Sequence, residues 1–383
     1  MARVIRLQLA LSLIGAALVA ALLSSLAYGA SVRTAPDVGG AYVEGVTGQP
    51  QFLNPLLTST TDYPAQSLDA LIFSGLVKED ASGQPQPDLA ASWTISPDGK
   101  QYTFHLRPDA RWQDGQPLTA DDVLFTVGAI QAADFPGNPD LAAAWQGVQV
   151  TKVDTHTVQF QRTEPFAPFM DYMTVGLLPA HVLGQTAARD LPGSGFNREP
   201  LGSGPYQLKQ LDLRSATLEV SDVYYGPKPY ISRLMLRFYK DDDSVLQALL
   251  RGEVEGDWHI DAHQIKTLQA ATNVHLYTAQ QPSFSGLCFN LADPLLSQLP
   301  VRQAIAFGIN RSALNEDVLG GTGRIDDGPI APSSWAYDPT VQPFIYDPAK
   351  AESVLDQAGW KAGPDGIRSK DGQTLAPVIL TPD

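Results

Sequence analysis

His259 and His263 in "WHIDAH", four apart with Asp261 between them, have the spacing that puts two metal ligands on one helical face. A hydrolytic zinc helix of that type carries Glu directly after its first histidine. Ile260 stands there instead, so the motif is absent and two partly exposed histidines at a helix start are expected. Asp241 to Asp243 could draw calcium, but the alternating ligands and glycine of a twelve-residue calcium loop do not follow. Their expected role is at a helix N-terminus. Gly202-Ser203-Gly204-Pro205 does not fit G-x-S-x-G, because its serine directly follows the first glycine. It reads as a hinge-side turn whose glycines permit positive φ. Cys288, the single cysteine, reads as a small buried strand residue and can form no intrachain disulfide. "GGTGRIDDG" lacks the spacing and preceding strand of a phosphate loop. The sequence therefore assigns no catalytic residue, no metal and no cofactor.

The elements that would position a non-covalent site are easier to read. A short strand is expected around Ala41 to Val46, then a loop, then a helix from Pro64 with Leu68, Leu71 and Ile72 on one face. Trp93 to Ile95 and Lys100 to Leu106 read as strands joined by Ser96-Pro97-Asp98-Gly99. Thr119 with Asp122 three residues on predicts a helix cap, with Val123, Val127 and Ile130 as the buried stripe behind it. A second hairpin turns at Asp154-Thr155-His156. The Gly- and Pro-rich run between Leu191 and Leu208 marks a connection between lobes. Strands follow at Tyr206 to Leu211, Thr217 to Val220 and Leu234 to Tyr239, and a helix through Leu250 stops at Gly252. A strand is expected near Phe284 to Leu291. Helices follow along "VRQAIAFGI" and from Pro348 to Ala358, and the chain stops at Asp383 inside or just after a strand.

The 383 residues suffice for two or three lobes. Arg3 and Arg6 precede an apolar run from Leu7 to Leu23 and then small residues, the layout of a secretory signal over residues 1–29. Cleavage after Ala27 or Gly29 is the reading adopted; an uncleaved N-terminal anchor stays open as its rival. Removal of residues 1–29 takes the formal charge from −15 to −17. An acidic body of that kind repels phosphate backbones and anionic headgroups, so nucleic acid is excluded as a partner.

The ordered pieces "FLNPLL", "LIFSGLVKED", "PDLAASWTISPDGKQYTFHLRPDARWQDGQPLTADDVLFTV", "LLPAHVL", "LGSGPYQL", "VRQAIAFGINRSAL" and "AGWKAGPDG" followed by "KDGQ" resemble the family 5 extracellular solute-binding proteins, the dipeptide and oligopeptide class. The resemblance covers about Val38 to the C-terminus. It implies an α/β fold of periplasmic-binding-protein type, Venus-flytrap lobes with an inserted α+β lobe and an incomplete last lobe. By motif, residues 31–63 and 176–281 would form the first lobe, 64–175 the inserted lobe and 282–383 the truncated second ligand-binding lobe. Two departures stand out: no lipid-attachment cysteine, and no place for the acidic residue that related peptide binders set against the ligand's amino terminus, expected beyond Asp383. A fragment of a longer protein is the expectation.

The same resemblance implies a receptor that captures a peptide, passes it to the permease subunits of an ATP-driven (ABC) importer and makes or breaks no bond. Its place is periplasmic or extracellular, soluble or tethered to the outer face of the cytoplasmic membrane. Alternatives are a receptor for a nickel chelate, oligosaccharide or other small solute, a membrane-anchored ectodomain, or an exported hydrolase. A cleft for extended ligands needs backbone groups to pair amides and aromatic faces to cover side chains. On the resemblance, Gln49 and Pro50 lie where family members run backbone beside the ligand. Tyr63 stands at the crossover into the inserted lobe and Trp258 where the middle segment nears the cleft. Phe284, Ser285 and Asn290 lie at the second hinge crossing, and Trp335 lies in a loop. Trp93 and Trp112 are assigned to scaffold.

Overall fold

The alternation of "AYVEGV" produces β1 (Gly39–Thr47), which buries Val46 and ends at Gly48, φ +86°, a left-handed conformation that glycine adopts freely. The computed structural model describes residues 15, 17–22, 24, 37–278, 284–330, 332, 334 and 337–380. After a loop anchored by buried Leu53, Asn54 and Leu56, Asp62 caps α1 (Tyr63–Ile72), accepting from the Ala65 amide at 3.0 Å while Pro64 presets the first turn. Leu68 and Ile72 are buried as their spacing predicts. A two-stranded hairpin of β2 (Val77–Glu79) and β3 (Pro85–Pro87) follows.

The SPDG turn joins β4 (Ala90–Ile95) to β5 (Gln101–Leu106), with Gly99 at φ +67° and its amide donating to Ser96 O at 2.9 Å. Thr119 and Asp122 form a reciprocal capping box at α2 (Ala120–Ile130), which buries Val123, Val127 and Ile130. After α3 (Pro139–Trp145), β6 (Gln149–Asp154) and β7 (Thr157–Gln161) complete an antiparallel sheet of order β4-β5-β7-β6. Trp145 meets Phe160 and Phe169 edge-on at 5.7 and 5.4 Å, the preferred geometry for aromatic quadrupoles.

The meander β8 (Tyr206–Leu211), β9 (Ser215–Val220) and β10 (Ile231–Tyr239) leads to α4 (Asp242–Leu250) and β11 (Gly256–Asp257). β1 lies parallel between β10 and β11, giving the order β11-β1-β10-β9-β8. Asp241 caps α4, the role expected of the DDD run. One continuous core from Val46 to Leu236 joins both sheets, and a smaller cluster of Leu246, Leu249, Val254 and Leu268 sits under α4.

Three expectations are corrected. Gly202 and Gly204 do not have positive φ; they are needed for close approach, since a Cβ on Gly202 would lie 1.8 Å from Ile72 O at the end of α1. The strand expected at Phe284 to Leu291 is irregular chain, because no neighbouring strand among the described residues offers it a ladder. Cys288 in that segment is consequently exposed rather than buried.

The last part of the chain carries α5 (Leu299–Gly308), α6 (Arg311–Leu319), α7 (Pro348–Gln357) and a three-stranded sheet of β12 (Lys361–Ala362), β13 (Arg368–Lys370) and β14 (Gln373–Thr374). Its buried residues are few: Val301, Ala304, Ala351 and Trp360 among those described. β14 ends at Thr374, the described residues from 375 to 380 are irregular, and the last three lie outside the described residues. Residues 17–22 are helical, and no helix among the described residues is long and apolar enough to cross a membrane.

Candidate functional site

The pairing of β1 with β10 and β11 sets which side chains share a face. Tyr42 and Glu44 sit opposite Leu234 and Leu236, and Glu44 is level with Gly256 of the edge strand β11. Helix α1 crosses that face with Ser67 and Leu71 toward it. A cavity of about 270 Å³ lies between helix and sheet, lined by Tyr42, Glu44, Leu71, Leu234, Leu236 and Trp258 among others.

An aromatic cluster stands beside it. The rings of Tyr63 and Trp258 are 5.8 Å apart at 80°, Tyr63 stacks on His259 at 5.3 Å, and Trp258 meets His259 at 5.9 Å. Tyr63 and Trp258 are each 45 % exposed, so large aromatic faces are held in place yet open to solvent. The His259 amide donates to Asp257 Oδ1 at 3.1 Å and fixes the turn that presents them.

The carboxylates here are reluctant to ionise. Burial, then the like charges of Glu44 and Asp242, pushes Asp257 up to about 6. Burial also raises Glu44, against hydrogen bonds from the Tyr42 hydroxyl and the Trp258 backbone. Tyr42 is raised by burial and by its bond to Glu44. Glu255 is engaged through Oε2, which accepts from the Val43 amide at 2.9 Å, and Asp242 accepts from the Thr47 hydroxyl at 2.5 Å. The site offers aromatic faces, partly desolvated acceptors and, along β11, a sheet edge. Among the described residues there, no nucleophile is paired with a base.

Of the residues singled out from the sequence, Tyr63 and Trp258 come together. Gln49 instead donates through Nε2 to Leu213 O at 2.8 Å, tying its loop to the β8–β9 turn, with half-buried Pro50 next to it. Phe284, Ser285 and Asn290 lie in the irregular segment. Phe284 is 58 % exposed, and Asn290 Oδ1 accepts from the Ala292 amide at 3.0 Å. No hydrogen bond or ring contact joins these three to the Tyr63–Trp258 pair among the described residues. Trp335 lies outside the described residues. Trp112 is fully buried, and Trp93 packs on the core.

The groups weighed for chemistry stay apart. His263 reaches Asp243 at 3.3 Å and Asp261 at 3.7 Å, and no group of three or more potential metal ligands occurs among the described residues. Ser203 Oγ is buried without a hydrogen-bond partner. Sequence reasoning missed Tyr42, Glu44 and Asp257. The available signal was a carboxylate at period two from Tyr42 and Val46 in an otherwise apolar strand.

The sequence model for "Bacterial extracellular solute-binding proteins, family 5 Middle" matches residues 84–382. The oligopeptide-binding protein AppA of Bacillus subtilis is 29 % identical over 354 residues, covering 90 % of this chain and 64 % of its own. The dipeptide-binding protein of Escherichia coli is 30 % identical over 344 residues, covering 82 % and 63 %. This chain thus spans somewhat under two thirds of the length of these relatives. Among solved structures, Bacillus subtilis AppA in complex with a nonapeptide superposes with a TM-score of 0.71 at 28 % identity, covering 89 % of this chain and 68 % of that one. NikZ of Campylobacter jejuni in complex with Ni(L-His) gives 0.72 at 27 % identity, covering 88 % and 66 %. The mixed α/β fold is that of periplasmic binding proteins, as the order of sequence motifs led us to expect, and the chain belongs to the family 5 bacterial extracellular solute-binding proteins.

Proposed function

We propose that this chain is the ligand-capturing receptor of an ATP-driven importer, that its ligands are peptides, and that it hands them to permease subunits without making or breaking a bond. The observation that carries the reading is the exposed Tyr63–Trp258 pair beside edge strand β11, which offers ring faces for side chains and backbone groups for amides. Relatives named for oligopeptide and dipeptide binding support it. In this reading residues 31–63 with 176–281 form one lobe, 64–175 the inserted lobe and 282–383 the lobe that closes on the ligand. Gln49 and Pro50 would run beside the ligand on the first lobe, and Phe284, Ser285, Asn290 and Trp335 would approach it on closure. The protein works outside the cytoplasm, free or tethered to the outer face of the membrane. A nickel chelate is the second reading, favoured by the likeness to NikZ with Ni(L-His).

Titration calorimetry of the full chain against di- to pentapeptides and against nickel–histidine separates the two. Peptide binding, with the peptide recovered intact by mass spectrometry, is expected; binding of nickel–histidine alone would replace the peptide reading with the second, and cleaved peptide would overturn the non-enzymatic one.

A further inference from the structure

The cavity between α1 and the sheet has a composition that narrows what can enter it. Leu71, Leu234 and Leu236 supply apolar wall, Tyr42 and Trp258 supply rings, and Glu44 is the single charged group among its described lining residues. The groups that bond Glu44 within the chain are the Tyr42 hydroxyl and the Trp258 backbone, neither of them cationic. Asp257, one strand over and level with Gly45, leaves the other face of the sheet, from where its charge still couples to that of Glu44.

An apolar group entering here would strip water from Glu44 without replacing it, which costs free energy. An anionic group would also meet the fields of Glu44 and Asp257. A basic side chain meets neither penalty: its methylene stem covers the leucines, and its cationic head can reach both the carboxylate and the aromatic faces. We propose that this cavity is a side-chain pocket for a lysine or arginine of the bound ligand, with Glu44 as counter-ion and Trp258 and Tyr42 as the aromatic walls. This rests on the peptide reading and adds to it a preference for basic peptides.

The test is calorimetry of the full chain with alanyl-lysyl-alanine, alanyl-norleucyl-alanine and alanyl-glutamyl-alanine. Norleucine keeps a stem of similar length and removes the charge. The lysyl peptide is expected to bind about tenfold more tightly than the norleucyl one, and the glutamyl peptide most weakly. In Glu44→Gln the lysyl-to-norleucyl ratio is expected to shrink to about threefold or less. Equal or tighter binding of the norleucyl peptide overturns the basic pocket and leaves the peptide reading standing. A ratio unchanged in Glu44→Gln overturns Glu44 as the counter-ion. Failure of all three peptides to bind removes the peptide reading, and the pocket with it. Should Glu44→Gln not fold, the wild-type ratio decides the matter alone.

Discussion

Trp258 is held by Tyr63 and His259 yet keeps nearly half its surface in water, an arrangement that costs stability unless something covers the ring. Truncation to Ala is expected to leave the fold intact and to weaken peptide binding by about 2 kcal/mol, roughly 30-fold, by calorimetry. Asp69 behaves differently. It is buried in α1, Oδ2 accepts from the Thr58 hydroxyl at 2.5 Å, and Oδ1 has no partner. Burial, opposed by that bond and aided by Asp62, pushes its pKa up to about 8. The folded state therefore holds a proton that the unfolded chain releases near pH 4. This contribution to stability is complete below about pH 4 and is lost as pH rises through about 8. Melting temperatures at pH 5.5 and 8.5 are expected to differ more in wild type than in Asp69→Asn, the variant being the more stable at the higher pH by about 1–3 kcal/mol. An unchanged difference would sink the assignment. Tyr63 and Trp258 were singled out through the order of motifs, and the structure brings their rings together. Glu44, Asp257 and Asp69 were not, since their character comes from burial created by strands and loops distant in sequence.

The elements read from local rules form where those rules place them, with β4, β9 and β10 starting two or three residues earlier than expected. SPDG closes its hairpin, Thr119 and Asp122 cap α2, and Gly252 stops α4, because each signal is satisfied within a few residues. Where the determinant is a distant neighbour, the sequence is silent or misleading. Phe284 to Leu291 has strand composition and no strand beside it, and Gly202 has a turn's composition but a packing role. Two alanine substitutions separate these kinds of glycine. Gly202→Ala would drive a methyl into the Ile72 carbonyl and is expected to destabilise by about 1–3 kcal/mol or more. Gly128→Ala lies on the exposed face of α2 with nothing within 4 Å, and is expected to stabilise by about 0.5–1 kcal/mol. Urea denaturation of both variants checks the pair, and equal effects would refute the distinction.

At the scale of the molecule, one hydrophobic core fastens the two large sheets together, whereas the part from Leu299 onward buries few side chains of its own among those described. On the proposed function, ligand would bias the position of the lobe over residues 282–383, since only a closed state would touch it from both sides. Saturating peptide is expected to lower the radius of gyration in solution scattering and to raise the melting temperature; a ligand that binds without compaction would count against hinge closure. The architecture was legible because many short motifs occur in a fixed order. The lobe bounds rest on that order and on chain connectivity, which leaves them a proposal.

The position of β1 has a kinetic corollary. Its ladder with β10 pairs Ala41 with Arg233, 192 positions later in the chain. At about 5–20 residues per second, synthesis of the partner lags by roughly 10–40 s, and β1 stays without its β10 neighbour for at least that long. Contacts this far apart also close slowly once both strands are present. Assembly of the central sheet is thus a late, non-local event, timed by how long β1 stays unpaired rather than by the closing of any hairpin.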